Sequence, residues 1–190
     1  MREELVVVFH GGHVTSLVRS DAHSSSTYGG PLEHKTSGQS LQRPVHHVAH
    51  LSVAQLPFLG APRYVVDLPL VYGLYYEASN IKYTFGHGSI SIESLLPNRP
   101  LDGWPYEGYP SMLPYVPLEV GEVSEASWSI FLSRAPNLPE EQPSEVVILV
   151  PPPATLGFSM WGEAGDAEGV TLVFECSLES KRVVAYNVCG

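Results

Sequence analysis

Leu5-Val6-Val7-Val8-Phe9-His10-Gly11-Gly12-His13-Val14-Thr15-Ser16-Leu17-Val18 places two apolar runs on either side of a glycine pair. β-branched side chains favour extended backbone, and paired glycines supply the positive φ that a two-residue hairpin turn needs. The stretch therefore predicts a strand over residues 5–9, a turn at His10-Gly11-Gly12-His13, and a returning strand over 14–18. The rest of the chain agrees. Its 190 residues include 17 prolines and 17 glycines, spaced so that few windows admit a helix of three turns. The expected fold is mainly β, an α+β chain with few short helices on a compact, predominantly antiparallel sheet.

Further along, residues 20–43 are rich in Ser, Gly and His with almost no apolar content, and read as a long loop. Strand character resumes over 45–53, where strict alternation would set Val45, His47, Ala49, Leu51 and Val53 on one face. Residues 70–76 and 81–85 read as a strand pair. Phe85-Gly86-His87-Gly88-Ser89 reads as a hairpin turn, after which Ile90 and Ile92 alternate against Ser89, Ser91 and Glu93. The proline-rich stretch 96–117 is expected to be extended and irregular. Residues 120–134 fit either a helical stripe or an alternating strand; a short helix capped by Ser124 and merging into a strand is expected. Residues 145–150 form an apolar strand, and 170–175 with 182–189 a terminal pair.

A chain of this length buries roughly 70% of its unfolded surface and needs no disulfide staple. One domain over 1–190 is expected, with two packed halves, 1–118 and 119–190, as the alternative. Only 16% of residues are charged, and the net charge is -10. Residues 1–118 hold nine acids and seven bases; 119–190 hold eleven and three. Such acidity repels phosphate backbones, so nucleic acid is not an expected partner. No run approaches the roughly 18 apolar residues of a membrane helix, and the start Met1-Arg2-Glu3-Glu4 is too acidic for a secretory signal. Cys176 and Cys189 are the only cysteines, in keeping with a reducing, cytoplasmic setting and buried thiols.

Two blocks carry a family likeness. Residues 46–76 contain His46-His47-Val48-Ala49-His50-Leu51-Ser52-Val53, then Ala54-Gln55-Leu56-Pro57, then Asp67-Leu68-Pro69-Leu70-Val71-Tyr72-Gly73-Leu74-Tyr75-Tyr76, with Tyr28-Gly29-Gly30-Pro31 upstream. The second block centres on Met160-Trp161-Gly162-Glu163-Ala164-Gly165 and the apolar run after it. Together they resemble the YwqG-like family of bacterial proteins. The resemblance implies a compact antiparallel β fold and brings no activity, cofactor or catalytic residue. It also implies a setting among toxin and immunity genes, where a small acidic protein neutralises a partner by covering its site.

The residues themselves point first to structure. Trp161 offers a large apolar surface and an indole donor, and Gly162 and Gly165 permit positive φ. His46 and His50 would lie about 13 Å apart along a strand, too far for one ion, with His47 on the opposite face. A histidine site would need His10, His13, His34 or His87 brought in by the fold. Glu163, Asp166, Glu168 and Glu175 lack the spacing of a calcium loop, so no metal and no cofactor are expected. There is no nucleophile elbow and no phosphate loop. What remains is a candidate interaction surface: Trp104, Tyr106 and Tyr109 on irregular backbone, flanking the acidic Glu163, Asp166 and Glu168. The expected function is a non-enzymatic interaction module, of immunity type in its most specific form, binding a basic protein partner. The alternative is a small hydrolase or other small-molecule enzyme with a site assembled from dispersed histidines and carboxylates.

Overall fold

The structure is a computed structural model and describes residues 2–76, 79–134, 137–141, 145–161 and 170–189. In chain order its strands are β1 (Glu4–His10), β2 (His13–Arg19), β3 (Ser26–Tyr28), β4 (Lys35–Gly38), β5 (His46–Ser52), β6 (Asp67–Tyr72), β7 (Asn80–Gly86), β8 (Ser89–Leu96), β9 (Val116–Val120), β10 (Ser124–Glu125), β11 (Val146–Val150), β12 (Val170–Ser177) and β13 (Arg182–Cys189). One α-helix, α1 (Trp128–Leu132), and two 3-10 turns complete the regular structure among the described residues. The strands form one sheet in the order β4-β8-β7-β13-β12-β11-β1-β2-β9-β3-β5-β6, with β10 added beside β2. All pairs are antiparallel except β4 with β8. The expected fold class is the observed one.

The opening hairpin forms as its sequence dictates. His10 pairs with His13 across Gly11 and Gly12, whose φ of 56° and 79° are the two positive values that a mirror-image turn requires. Its first strand lies in the middle of the sheet, between β2 and β11, and is buried on both faces. Leu5, Val6 and Val8 join the large core, whereas Val7 and Phe9 face a second, smaller one. A bulge between Glu4 and Val6 lets Leu5 and Val6 share a core. At about 2 kcal/mol per buried apolar side chain, these five residues contribute on the order of 10 kcal/mol, well above the roughly 1 kcal/mol that each turn glycine costs.

The small core is roofed by α1. Phe9 meets Trp128 and Phe131 at ring-centroid distances of 5.2 and 4.9 Å, and Val147, Leu149 and Val173 complete the contact. The helix is capped by Ser127, whose hydroxyl accepts from the Ile130 N–H at 3.3 Å. Ser124, the expected cap, instead belongs to β10, which pairs with β2, so the strand precedes the helix.

On the other face the sheet rolls until β6 lies against β7 and β13, enclosing the large core. The Tyr83 hydroxyl of β7 bonds Pro69 and Val71 of β6, and the Tyr72 hydroxyl bonds Ser79 and Asn187. The expected pair over 70–76 and 81–85 is therefore not a hairpin. β7 pairs with β8 and β13, and β6 with β5 alone, because Leu74, Tyr75 and Tyr76 leave the sheet and bury themselves in the core between the two strands. Residues 20–43 also depart from the expected loop. β3 is held between β5 and β9, with Ser26 and Tyr28 buried, and β4 forms an exposed edge on β8. Residues 118 and 119 lie inside β9, and β11, β12 and β13 are inserted between β7 and β1, so the sheet does not divide there.

Trp161 is buried in the large core and its indole N–H donates to the Val170 carbonyl at 3.0 Å. Cys176 is fully buried, and burial pushes its thiol far above the usual range. The Cys189 side chain lies outside the described residues. No helix among the described residues is long and apolar enough to cross a membrane.

Candidate functional site

One residue decides what β5 presents. His46 and His47 stand opposite Tyr72 and Val71, but Ala49, not Val48, stands opposite Leu70, so Val48 is the extra residue of a β-bulge. Strict alternation, which would have buried Val45, His47, Ala49 and Leu51 together, is broken there. His46, Val48, Ala49 and Leu51 face the large core, and His47 and His50 share the opposite face. The neighbouring strands follow the same phasing. Thr27 of β3 stands opposite His50, and Asp67 of β6 stands opposite Ser52.

The result is an open cavity of about 440 Å³ on that face, lined by His47, His50, Asp67, Glu33, His34 and Thr27 among others. His34 arrives from the segment before β4, and Gly88 from the tip of the β7–β8 hairpin. The Asp67 Oδ2 lies 3.8 Å from His34 Nε2 and 3.9 Å from His50 Nε2, and the ring centroids of His34 and His50 are 6.2 Å apart. His47 is 6.5 Å from His50 by centroid, and its buried Nδ1 has no hydrogen-bond partner. Burial holds the imidazole of His47 below the usual histidine range, and neighbouring His50 lowers it further. Burial lowers His50 as well, with Asp67 opposing and His34 adding to the shift.

Gly29, in the wall of this cavity, explains the Tyr28-Gly29-Gly30-Pro31 stretch. Its φ is 60°, and an added Cβ would lie 2.2 Å from the Pro114 carbonyl oxygen. The two backbones approach more closely than any side chain allows.

The other histidines are elsewhere. His46 sits in the core with its ring 4.6 Å from Tyr75 and 5.4 Å from Tyr109, and its Nε2 is 2.9 Å from the Pro110 carbonyl. His10 lines a separate cavity with Cys176 and Glu179, and His13, His23 and His87 are exposed. Among the described residues no group of His, Cys, Asp and Glu side chains is placed to hold a metal ion.

The expected aromatic surface is turned inward. Tyr109 is buried, its hydroxyl donating to the Met160 carbonyl at 3.0 Å, and Trp104 and Tyr106 are half-buried against the same core. Aromatic rings on proline-rich backbone bring enough apolar area to pull an irregular segment onto the sheet. Exposed Met112 and Tyr115 are what that segment leaves outside. Glu163, Asp166 and Glu168 lie outside the described residues.

A different acidic surface surrounds α1. Ile130 and Val123 are exposed, and Glu122, Glu125, Glu140 and Glu141 are exposed on the segments that flank the helix. The following segment is tied to the helix by the Trp128 indole, which donates to the Pro139 carbonyl, and the preceding one to the β1–β2 turn by the Ala126 N–H, which donates to the Gly12 carbonyl. Arg134, the only base between residues 119 and 175, is paired with Glu4 at 2.7 Å.

His34, Asp67 and the shared face of His47 and His50 were beyond reading by alternation. The available signal was the His46-His47-Val48-Ala49 run, which offers no clean period of two. Comparison of the chain with protein-family models, with curated proteins and with solved structures returns no match.

Proposed function

We propose that the chain is a non-enzymatic interaction module that binds a more basic protein through the α1 side of the sheet. The observation that carries this reading is the exposure of Ile130 on α1 and of Val123, Glu122, Glu125, Glu140 and Glu141 on the segments that flank it, with Arg134, the one Lys or Arg between residues 119 and 175, paired with Glu4. An apolar centre within an acidic rim suits a basic partner, because rim charge speeds encounter and the desolvated apolar contacts hold the complex. An immunity-type role, in which the acidic face covers the working site of a basic toxin, is the most specific form of this reading.

The test is a pull-down from native lysate at low and moderate salt with wild type and with Glu122, Glu125, Glu140 and Glu141 reversed to Lys. A specific basic partner that is lost on charge reversal and held less well in salt is expected. Failure to recover any partner, or recovery that charge reversal leaves intact, refutes the reading.

A second reading, a small-molecule enzyme such as a hydrolase, draws on one specific observation: the convergence of His34, His47, His50 and Asp67 in one cavity. Turnover of a small ester, amide or phosphoester that is abolished by His50→Gln would favour it over the first.

A further inference from the structure

We propose that the cavity between β5, β6 and the segment carrying Glu33 and His34 is a binding site for a cationic nitrogen, a primary ammonium or a guanidinium, held by Asp67 Oδ2, His34 Nε2 and His50 Nε2. The site is separate from the α1 surface and does not depend on the interaction reading.

The argument begins with charge. The cavity is lined by two carboxylates, Asp67 and Glu33, and three imidazoles, with no Lys or Arg among the lining residues. Above the ordinary imidazole range of about 6.5 histidine is a neutral group that offers an acceptor nitrogen. At neutral pH the site is therefore negative and rich in acceptors, which suits a cation that donates hydrogen bonds. Its volume lies within the usual range of small-ligand sites.

Spacing leaves room for such a group. Asp67 Oδ2 and the two Nε2 atoms are too far apart, at 3.8 and 3.9 Å, to bond one another. Ligand atoms that share a tetrahedral ion at about 2.1 Å lie about 3.4 Å apart, so these separations are wide for zinc. Acceptors that share one ammonium, each at about 2.8 Å and at tetrahedral angles, lie about 4.6 Å apart, so the observed separations fall between the two ideals and the charge of the lining decides between them. A bridging water has two protons to donate, whereas an ammonium has three and a positive charge opposite Asp67. The Nδ1 of His47, a side chain 9% exposed in the same wall, lacks a hydrogen-bond partner of good geometry.

The groups that face the nitrogen also make the site sensitive to pH. Asp67 stands on β6, His47 and His50 on β5, Glu33 and His34 on the preceding segment, and Tyr115 before β9. When His50 takes up a proton it becomes a donor, pairs with Asp67, and repels the cation. Binding is thus expected to weaken as pH falls.

The cationic nitrogen has two sources, a free small amine or a lysine or arginine side chain presented by a protein. The experiment uses the full chain and follows histidine imidazole resonances by heteronuclear NMR. Its probes are n-butylammonium, n-butylguanidinium and a tetralysine peptide, with butanol and butyrate as controls. Saturable shifts of His34 and His50 with the cationic probes alone, weakened at least tenfold in Asp67→Asn, are the expected result. Saturation by the small amines places the source in free amines, and peptide binding more than tenfold tighter places it in protein side chains. Asp67→Asn is checked for an unchanged melting temperature, and His34→Gln supplies an independent second variant. The proposal is overturned if no cationic probe shifts these resonances, if butyrate or butanol shifts them equally, or if zinc alone does so.

Discussion

The Tyr83 hydroxyl accepts the Val71 N–H at 3.2 Å and donates to the Pro69 carbonyl at 2.8 Å, so one phenol occupies the place of a strand on the free edge of β6. All of these groups are buried, and burial keeps the phenol protonated well above its usual range. β6 thereby avoids the exposed edge that its position at the end of the sheet order would otherwise leave.

Tyr83→Phe removes both bonds while retaining the ring. Two buried backbone groups would lose their partner, at about 1 to 3 kcal/mol each. A fall of about 2 to 4 kcal/mol in urea unfolding is expected. Stability within a few tenths of wild type would show that water replaces the hydroxyl.

Trp161→Ala empties the place where the indole packs against Tyr72 and reaches Val170. A loss of about 3 to 5 kcal/mol is expected for an aromatic side chain of this burial. An unchanged denaturation midpoint and slope would mean that the indole is exposed in solution.

Gly29→Ala meets both a φ of 60° and the Pro114 carbonyl. A non-glycine residue in this conformation costs about 1 to 2 kcal/mol before the collision is counted. The variant should lose at least about 2 kcal/mol, and should shift the imidazole resonances of His47 and His50 in the same cavity. Neutral behaviour would show that the two segments separate freely.

His46, His47 and His50 all have imidazoles held below the usual range, chiefly by burial. The unfolded chain then takes up protons before the folded one. Stability is complete above about pH 6.5 and falls as pH drops from there toward the lowered folded values, by at most about 1.4 kcal/mol per pH unit for each histidine. Unfolding followed between pH 7.5 and 5.5 should show this slope, and His46→Gln should make it shallower whatever its effect on stability at pH 7.5. An identical slope in that variant would remove His46 from the account.

The parts of the fold that could be read from the sequence are those where local chemistry and tertiary demand coincide. Gly11-Gly12 and His87-Gly88 have few other uses than tight turns, and the 5–9 and 146–150 runs are apolar throughout because both faces of those strands are covered. The misread parts are those where tertiary contacts outweighed composition. The polar Ser26–Tyr28 becomes a strand because β5 and β9 leave a gap of one strand, and Trp104 and Tyr109 turn inward because the core lies beneath them. The cavity was hidden for a different reason. Its lining runs from Ser25 to Tyr115 in the chain, and the shared face of His47 and His50 depends on one bulge that no pattern of period two contains.

Val48 acts as a phase shift in the chain. Within β5, His46 and Val48 face the core up to that point, and Ala49 and Leu51 do after it. Delete that residue and the two phases merge. Either Leu51 is turned to solvent and His50 into the core, or the strand before it slips, turning His46 outward and His47 inward. A binding face and a hydrophobic interior that share one counting error cannot drift apart by mutation: insertions and deletions within 46–52 should be as intolerable as any substitution of the imidazoles themselves.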